Sequence, residues 1–220
     1  MTFLCLYSLM ATSQTIELSG GYIINRMFDF EEDNPHYRSE YNTGSGYGFV
    51  IAIEDIKVDW HRLRITLGFE KYNGELEVYS GGLGGGGGTH AFFDKSLISL
   101  GLYPVNFMIV KKIDLNIGII ASILIHERFN GTYGGWMMTG PGFHYNIEDQ
   151  YSQYNSNWYF GLSGRIAYNI KVSPSVYIFP QYSFYFGVSK EFCEFPYDTR
   201  SMRHFFAVGV EKRFQKKTKH

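Results

Sequence analysis

The feature that most constrains this chain is an alternation of short and long connections between segments whose apolar residues recur at every second position. Period-two alternation over segments of ten to fourteen residues is typical of β-strands with one apolar face. The short connections are 55–59, 111–114 and 171–174, and the long ones are 29–42, 79–94, 128–157 and 189–203. Seven connections join eight antiparallel strands. Short turns at one end and long loops at the other are typical of an up-and-down transmembrane β-barrel.

Composition bounds the class of protein. A chain of 220 residues fits one domain, and 20 basic against 21 acidic residues leave no basic surface for nucleic acid, so no nucleic-acid partner is expected. Tyrosine, phenylalanine and glycine are abundant, at 18, 19 and 25 residues, which favours strands and irregular loops. The longest apolar stretch, 117–125, falls short of the ~20 residues of a spanning helix but matches one spanning strand.

Charged side chains recur on one face of the predicted strands. A basic residue facing lipid near the bilayer midplane costs about 2–4 kcal/mol, so this face must point into the barrel. Its charged members are Glu17, Glu54, Arg62, Arg64, Glu70, Arg165, Glu211 and Arg213. Acids and bases balance, and buried charges persist when they are paired. Because eight strands enclose only enough room for their own side chains, we predict a polar, plugged interior.

A soluble β-sandwich or lipocalin-like barrel is the alternative fold, with the apolar face as its core. The alternation of connections, the charged face and a secretory start favour the membrane. The start is the apolar block 3–10 followed by Ala11, Thr12 and Ser13, which predicts a signal peptide over residues 1–13. The barrel would then occupy 14–214, followed by a short periplasmic tail, 215–220. Cys193 would be the one cysteine of the mature chain, which excludes a disulfide framework.

The closing segment 203–214 carries Gly209 five positions before the aromatic Phe214. This segment resembles the C-terminal strand signal of bacterial outer-membrane barrels. The resemblance implies an assembly signal formed by Gly209 and Phe214, the barrel assembly machinery and outer-membrane lipid as partners, and location in the bacterial outer membrane.

A second resemblance lies in the middle of the chain. Residues 99–107, with Pro104, the basic pair Lys111 and Lys112, and the glycine-bearing segment 115–118 resemble the outer-membrane β-barrel domain family abundant in Bacteroidetes. Relatives in that family include PorT-like proteins, which serve a secretion apparatus. The resemblance is structural, and no set of functional residues transfers from it.

Candidate chemistry is sparse. Ser122 and His126 are predicted on the inward face, but about 13 Å apart along one strand, too far for a nucleophile–base hydrogen bond. His144, Glu148 and Asp149 are a candidate cation site, but a solvated polar loop is the favoured interpretation of these residues. The glycine run 81–88 lacks the residues of a phosphate loop and predicts a flexible loop tip. We therefore predict no catalytic residues, no metal and no cofactor, with enzymatic activity disfavoured.

The third long loop is the best candidate for recognition, because it combines glycines with aromatic residues and methionines. Its candidate residues are Tyr133, Trp136, Met137, Phe143, His144 and Tyr145. The alternative is that they pack over the barrel mouth or at lipid headgroups. The predicted function is structural, or binding of a protein partner in the envelope. A lipid- or lipopolysaccharide-modifying barrel enzyme and a narrow small-solute pore are the alternatives.

Overall fold

Regular structure in the described part of the chain consists of β-strands. The computed structural model describes residues 15–28, 37–58, 61–109, 112–138, 140–148, 156–192 and 199–214, so the predicted signal peptide, the tail and Cys193 lie outside it. The strands are β1 (Thr15–Phe28), β2 (Tyr37–Asn42), β3 (Gly44–Val58), β4 (His61–Gly82), β5 (Gly85–Ile109), β6 (Ile113–Met137), β7 (Gly140–Glu148), β8 (Trp158–Tyr168), β9 (Ile170–Lys171), β10 (Val176–Gly187) and β11 (Arg200–Arg213). Within these ranges no helix is long and apolar enough to cross a membrane.

Eight of these strands close into a ring. The order is β1-β3-β4-β5-β6-β8-β10-β11, and β11 returns to pair with β1 from Thr15↔Arg213 to Phe28↔Arg200. Neighbours in the ring are antiparallel and consecutive along the chain apart from the short strands β2, β7 and β9. The prediction of an eight-stranded antiparallel up-and-down β-barrel is confirmed. Thr15 and Arg213 lie at the same end of the barrel as the short turns.

The two strand prolines lie at irregularities of the ladder. The register between β5 and β6 shifts between Leu102 and Val105, around Pro104. Pro180 lies where β10 changes partner, because β9 pairs with Ile178 and β8 pairs from Gln181 onward. Proline lacks the amide donor, so such breaks are where a strand accommodates it.

Three strands run far past the barrel. β4, β5 and β6 contain 22, 25 and 25 residues, and together with β2 and β7 they form a five-stranded sheet above the long-loop end. We call this sheet the extension; it comprises 37–42, 73–82, 85–94, 128–137 and 140–148. The expected loop 79–94 is therefore a tight hairpin, and most of the expected loop 128–157 is strand. The prediction of a flexible glycine-rich loop tip was also wrong, because residues 86–88 pair with β4 on one edge and with β6 on the other.

Apolar side chains cover the outside of the barrel. The half-exposed outward set comprises Leu18, Tyr22, Phe49, Ile51, Leu67, Leu100, Leu102, Ile117, Ile119, Phe160, Leu162, Ile166, Phe206, Val208 and Val210. A soluble protein does not expose so continuous an apolar surface, whereas lipid matches it. The inward positions of the same strands carry buried Glu17, Arg64, Arg165 and Glu211. An apolar outside and a charged inside invert a soluble barrel, so the soluble alternative is wrong.

Candidate functional site

The lower half of the lumen, nearer the short turns, contains a buried charge network. The Glu17 carboxylate lies 2.6 Å from Nη1 of Arg64 and 2.9 Å from Nη2 of Arg165. Arg64 also pairs with Glu54. Glu17 lies on β1 and Arg165 on β8, which are not neighbours in the ring, so the pair crosses the lumen. Two acids and two bases balance here, as buried charges require.

Neutral side chains complete the shell around Arg165. Its Nη1 donates to Oδ1 of Asn116 at 2.7 Å, and its Nε donates to Oε1 of Gln181 at 2.5 Å. The amide of Gln181 in turn donates to the hydroxyl of Ser19 at 3.0 Å. These bonds tie β8 to β6, β10 and β1 through the interior. A buried polar network of this kind is stable because its members are hydrogen-bonded.

A second level of polar contacts lies above the first. Nη1 of Arg203 is 2.7 Å from Oε2 of Glu70, again across the lumen from β11 to β4, and Ser99 donates to the other Glu70 oxygen at 3.1 Å. The cavity between the two levels has a volume of about 60 Å³. That space holds only a few water molecules.

The eight charges predicted to face inward are placed as follows. Glu17, Glu54, Arg64, Glu70 and Arg165 lie in the two levels just described, and Glu211 is buried and paired with a one-third-exposed Arg213 near the short turns. The side chain of Arg62 lies outside the described structure.

Two further lumen cations, Arg203 and Lys95, did not emerge from the sequence. Both lie in phase with inward residues, Arg203 with Glu211 and Lys95 with Ser99, so period two extended past the assumed strand ends would have found them.

An apolar cluster lies at the mouth of the barrel, where the extension begins. Leu76, Phe93 and Phe129, from the inner face of β4, β5 and β6, are buried together with Phe192, from the segment after β10. The Phe192 ring meets those of Phe93 and Phe129 edge-on, with centroids 6.4 Å apart in both pairs. Loop residues that follow β10 therefore help to fill the mouth.

Lys95 lies directly under this cluster and is buried. Its ammonium is 3.0 Å from the Glu191 carboxylate and donates to the Tyr159 hydroxyl at 3.2 Å. The same nitrogen lies 4.5 Å from the centroid of the Phe192 ring, within cation–π range. Glu191 and Phe192 thus anchor the segment after β10 through charge and ring contacts to one buried cation.

The candidate recognition residues divide between the two faces of the extension. Tyr133 pairs with Tyr145 in register, and Phe143 lies between them, with ring centroids 5.5 and 5.8 Å away, so these three form an aromatic row on the inner face. Trp136 and His144 alternate with that row and lie on the outer face, and Met137 lies at the exposed tip. Because β-strands alternate sides at each residue, the six residues do not form one surface.

The outer face of the extension carries an open groove of about 560 Å³. Tyr79 and Trp136 wall it, with Arg38 at one end and glycines 86–88, 134 and 135 as its floor. A Cβ on Gly88 would lie 2.8 Å from the Tyr79 ring, and one on Gly86 would lie 3.3 Å from the Trp136 indole nitrogen. The glycine run, read from the sequence as a mobile tip, therefore makes room for two half-exposed aromatic rings.

Beside this groove, two carboxylates meet a histidine. Glu75 and Glu77 of β4 and His90 of β5 hold side-chain ligand atoms within 4.8 Å of one another. The hydrogen bond from His90, with a second from Asn42, lowers the pKa of the Glu75 carboxyl below its ordinary value. Sequence reasoning missed this cluster because His90 lies in what was expected to be the loop 79–94, where no strand register pairs it with Glu75 and Glu77.

The other candidate groups stay apart. Ser122 is buried in the lumen, with its hydroxyl 2.8 Å from that of Ser99, whereas His126 is exposed outside. The expected shared inward face was wrong, because a bulge opposite Ser96 and Leu97 shifts the alternation in β6 between the two. His144 is exposed on β7, Glu148 is four strand residues away, and Asp149 lies outside the described residues.

No protein-family model and no curated protein matches this sequence. Several solved structures are similar in fold. Neisserial surface protein A is 10% identical with a TM-score of 0.41, covering 90% of this chain and 97% of its own. The attachment invasion locus protein Ail of Yersinia pestis is 12% identical with a TM-score of 0.39, covering 90% and 99%. The outer membrane protein OprG of Pseudomonas aeruginosa is 8% identical with a TM-score of 0.41, covering 92% and 97%.

The fold is that of an outer-membrane β-barrel. The closed ring of eight strands and the apolar outer belt carry that assignment. Within this barrel Gly209 has a structural role, since a Cβ there would lie 2.8 Å from the Leu18 carbonyl oxygen and would collide with the buried Phe179 ring. Phe214 follows β11 and is exposed, with the Lys212 ammonium 5.3 Å from its ring centroid. The assembly role of Gly209 and Phe214 stays a prediction.

Proposed function

We propose that this protein is a non-conducting barrel of the bacterial outer membrane that presents the extension at the cell surface as a binding platform. The observation that carries the proposal is the bridge from Glu17 to Arg64 and Arg165 across the lumen, above which Phe192 closes the mouth. Ion pairs that cross the lumen narrow the path for water and ions, which supports a barrel that does not conduct. The barrel then serves as an anchor, and the irregular and extended segments perform the specific work.

The orientation follows from the shape. The short turns and both described chain ends lie at one end of the barrel, and the extension lies at the other. Outer-membrane barrels have short periplasmic turns and long extracellular segments. We therefore place the extension outside the cell, with Tyr79, Trp136 and Arg38 as the binding surface.

Two parts of the proposal rest on sequence. Residues 1–13 have the apolar block and small residues of a signal peptide, which export to the outer membrane requires. The arrangement around Pro104 and Gly118 supports membership of the outer-membrane barrel family abundant in Bacteroidetes. Cleavage before Gln14, read by N-terminal sequencing of protein purified from membranes, tests the first part.

Conductance tests the plugged interior. Purified protein inserted into planar lipid bilayers is expected to give no steady current steps, because the ion pairs of Glu17 and the Lys95–Glu191 contact lie across the lumen. The double variant Phe192→Ala with Glu191→Ala, which lacks the contacts at the mouth, serves as the comparison. It is expected to give at most brief current events and no steady steps. Regular steps from the wild-type protein would support the narrow pore instead.

Site-specific crosslinking tests the platform. A photoreactive amino acid placed at Trp136, in the groove, is compared in intact cells with one at Trp158, which is also half-exposed but lies on the barrel wall. We expect a discrete adduct from position 136 that Tyr79→Ala reduces and that position 158 does not form. Equal adducts from both positions would indicate lipid contact and contradict the platform.

A further inference from the structure

Three ligand-bearing side chains converge on the outer face of the extension. Glu77 of β4 and His90 of β5 are direct cross-strand partners, and Glu75 precedes Glu77 by two residues on the same face. The imidazole Nε2 of His90 lies 2.5 Å from Oε1 of Glu75 and 3.5 Å from Oε1 of Glu77. Imidazole nitrogen and carboxylate oxygen are the ligands that zinc-class cations take from proteins.

Neighbouring groups hold both carboxylates in place. The amide of Asn42 donates to Oε2 of Glu75 at 2.9 Å, and the hydroxyl of Tyr79 donates to Oε2 of Glu77 at 3.1 Å. Each carboxylate therefore has one oxygen engaged from outside the cluster and turns the other toward His90. Outer hydrogen bonds that orient ligating carboxylates in this way characterise metal sites.

The surroundings favour a cation. Glu40 of β2 lies directly opposite Glu77 in the register, so three carboxylates share this small region of one face. Like charges opposite each other destabilise a sheet, and Arg38, which pairs with Glu40, offsets only part of that charge. On the other side, the Phe92 ring meets the His90 imidazole edge-on, with the ring centroids 4.9 Å apart. This contact restrains the rotation of the imidazole.

We propose that Glu75, Glu77 and His90 bind one divalent transition-metal cation of the zinc class, with the remaining coordination positions open to solvent. Metal–ligand bonds of ~2.0–2.2 Å place tetrahedral ligand atoms ~3.3–3.6 Å apart. The separation of His90 from Glu77 already meets that spacing, and Glu75 must withdraw by about an ångström. The bound cation replaces the His90–Glu75 hydrogen bond and links β4 to β5. The site is independent of whether the lumen conducts.

The test is calorimetric titration of the refolded full-length protein in detergent micelles with zinc chloride, after treatment with a chelator. One zinc per barrel with a dissociation constant in the micromolar range or below is expected. His90→Ala should abolish that binding, and Asn42→Ala should weaken it about 10–100-fold through the freed Glu75. His144→Ala is the matched control, since His144 is an exposed histidine on the same face of the extension but outside the cluster.

Two further readings keep the result unambiguous. Heat-modifiable gel migration shows which variants fold, and Glu77→Gln, which keeps shape and loses charge, replaces His90→Ala should the latter misfold. Cobalt in place of zinc should give visible absorption that His90→Ala removes and His144→Ala keeps. Absence of saturable binding, binding only at millimolar zinc, unchanged binding by His90→Ala, or loss in His144→Ala would each overturn the proposal.

Discussion

The ammonium group of Lys95 lies 3.0 Å from the carboxylate of Glu191, and both side chains are buried. Lys95 belongs to a barrel strand, whereas Glu191 belongs to the segment that follows β10. The pair therefore joins a long connection to the wall at the place where the lumen meets the extension. The packing at the mouth therefore combines a buried ion pair with apolar contacts.

Removing one member of that pair should destabilise the fold. Glu191→Gln leaves the Lys95 ammonium buried without its main counter-charge, and breaking a buried pair in this way costs about 3–5 kcal/mol. Urea unfolding of the refolded protein in micelles, followed by tryptophan fluorescence, measures the loss. The double variant Lys95→Met with Glu191→Leu should recover part of it, because packed apolar groups need no counter-charge, although Glu127, 3.8 Å from the Lys95 ammonium, then loses its partner. A double variant as unstable as the sum of the singles would show that the pair itself does not hold the mouth.

Neutralising Glu17 should have an effect of the same order. Glu17→Gln removes the carboxylate shared by Arg64 and Arg165 and leaves two cations against Glu54 alone, at a cost of about 3–5 kcal/mol. The unfolding transition in urea gives the value. Glu40→Gln is the matched control, since it alters an exposed pair with Arg38 and should leave the midpoint nearly unchanged. Equal shifts in both variants would refute a special role for the lumen network.

The apolar belt predicts that a lysine on the outer face costs more stability the closer it lies to the centre of the bilayer. Ile119 lies in the middle of the belt on β6, and Ile109 lies at the short-turn end of β5; both are about half-exposed. Ile119→Lys should cost about 2–4 kcal/mol in a bilayer and Ile109→Lys no more than about 1 kcal/mol. Reversible unfolding in lipid vesicles measures the two values. Similar values for both would mean that Ile119 does not face the bilayer core.

Two glycines on neighbouring strands, Gly118 and Gly164, distinguish the effect of packing from the effect of backbone conformational freedom. A Cβ on Gly118 would lie 2.8 Å from Cα of Tyr103 and would collide with the Leu102 carbonyl oxygen, whereas one on Gly164 would meet nothing within 4 Å. Gly118→Ala should therefore destabilise by about 1–3 kcal/mol through overpacking. Gly164→Ala should be neutral or stabilise by about 0.5–1 kcal/mol, since alanine restricts the unfolded chain. Thermal gel-shift midpoints rank the two, and the reverse order would contradict the β5–β6 register.

The Glu75 carboxyl predicts a pH-dependent contact outside the membrane. Its pKa is lowered from the ordinary 4.5, first by the hydrogen bond from His90 and then by that from Asn42. Because the pKa is lowered in the folded state, the contact stabilises the hairpin at pH values above the unfolded-state pKa. That stabilisation is lost as the pH falls through the folded-state pKa. Carboxyl carbon shifts of Glu75 in an NMR titration give the folded pKa. It should rise toward 4.5 in His90→Ala, and to a lesser extent in Asn42→Ala; a wild-type titration at or above 4.5 would refute the contact.

The number of barrel strands and the inward face were predictable from the sequence, because both follow from local rules. Period two sets which side chains share a face, and the cost of a charge in lipid decides which face turns inward. Glu17, Arg64 and Arg165 were found in this way, although Glu17 and Arg165 are separated by 148 positions.

Which side chains contact each other was decided by the tertiary structure alone. Alternation predicts that Glu17 points inward but not that it meets Arg165, which depends on the curvature that brings β1 opposite β8. Glycine-rich residues 85–88 have no side-chain pattern that marks a strand, yet they pair on both edges because β4 and β6 lie beside them. The contact of His90 with Glu75 and Glu77 arises from that same hairpin register. A sequence states the preferences of each residue locally, whereas register and closure are properties of the whole sheet. The packing at the mouth, the groove, and the cluster of Glu75, Glu77 and His90 all depend on them.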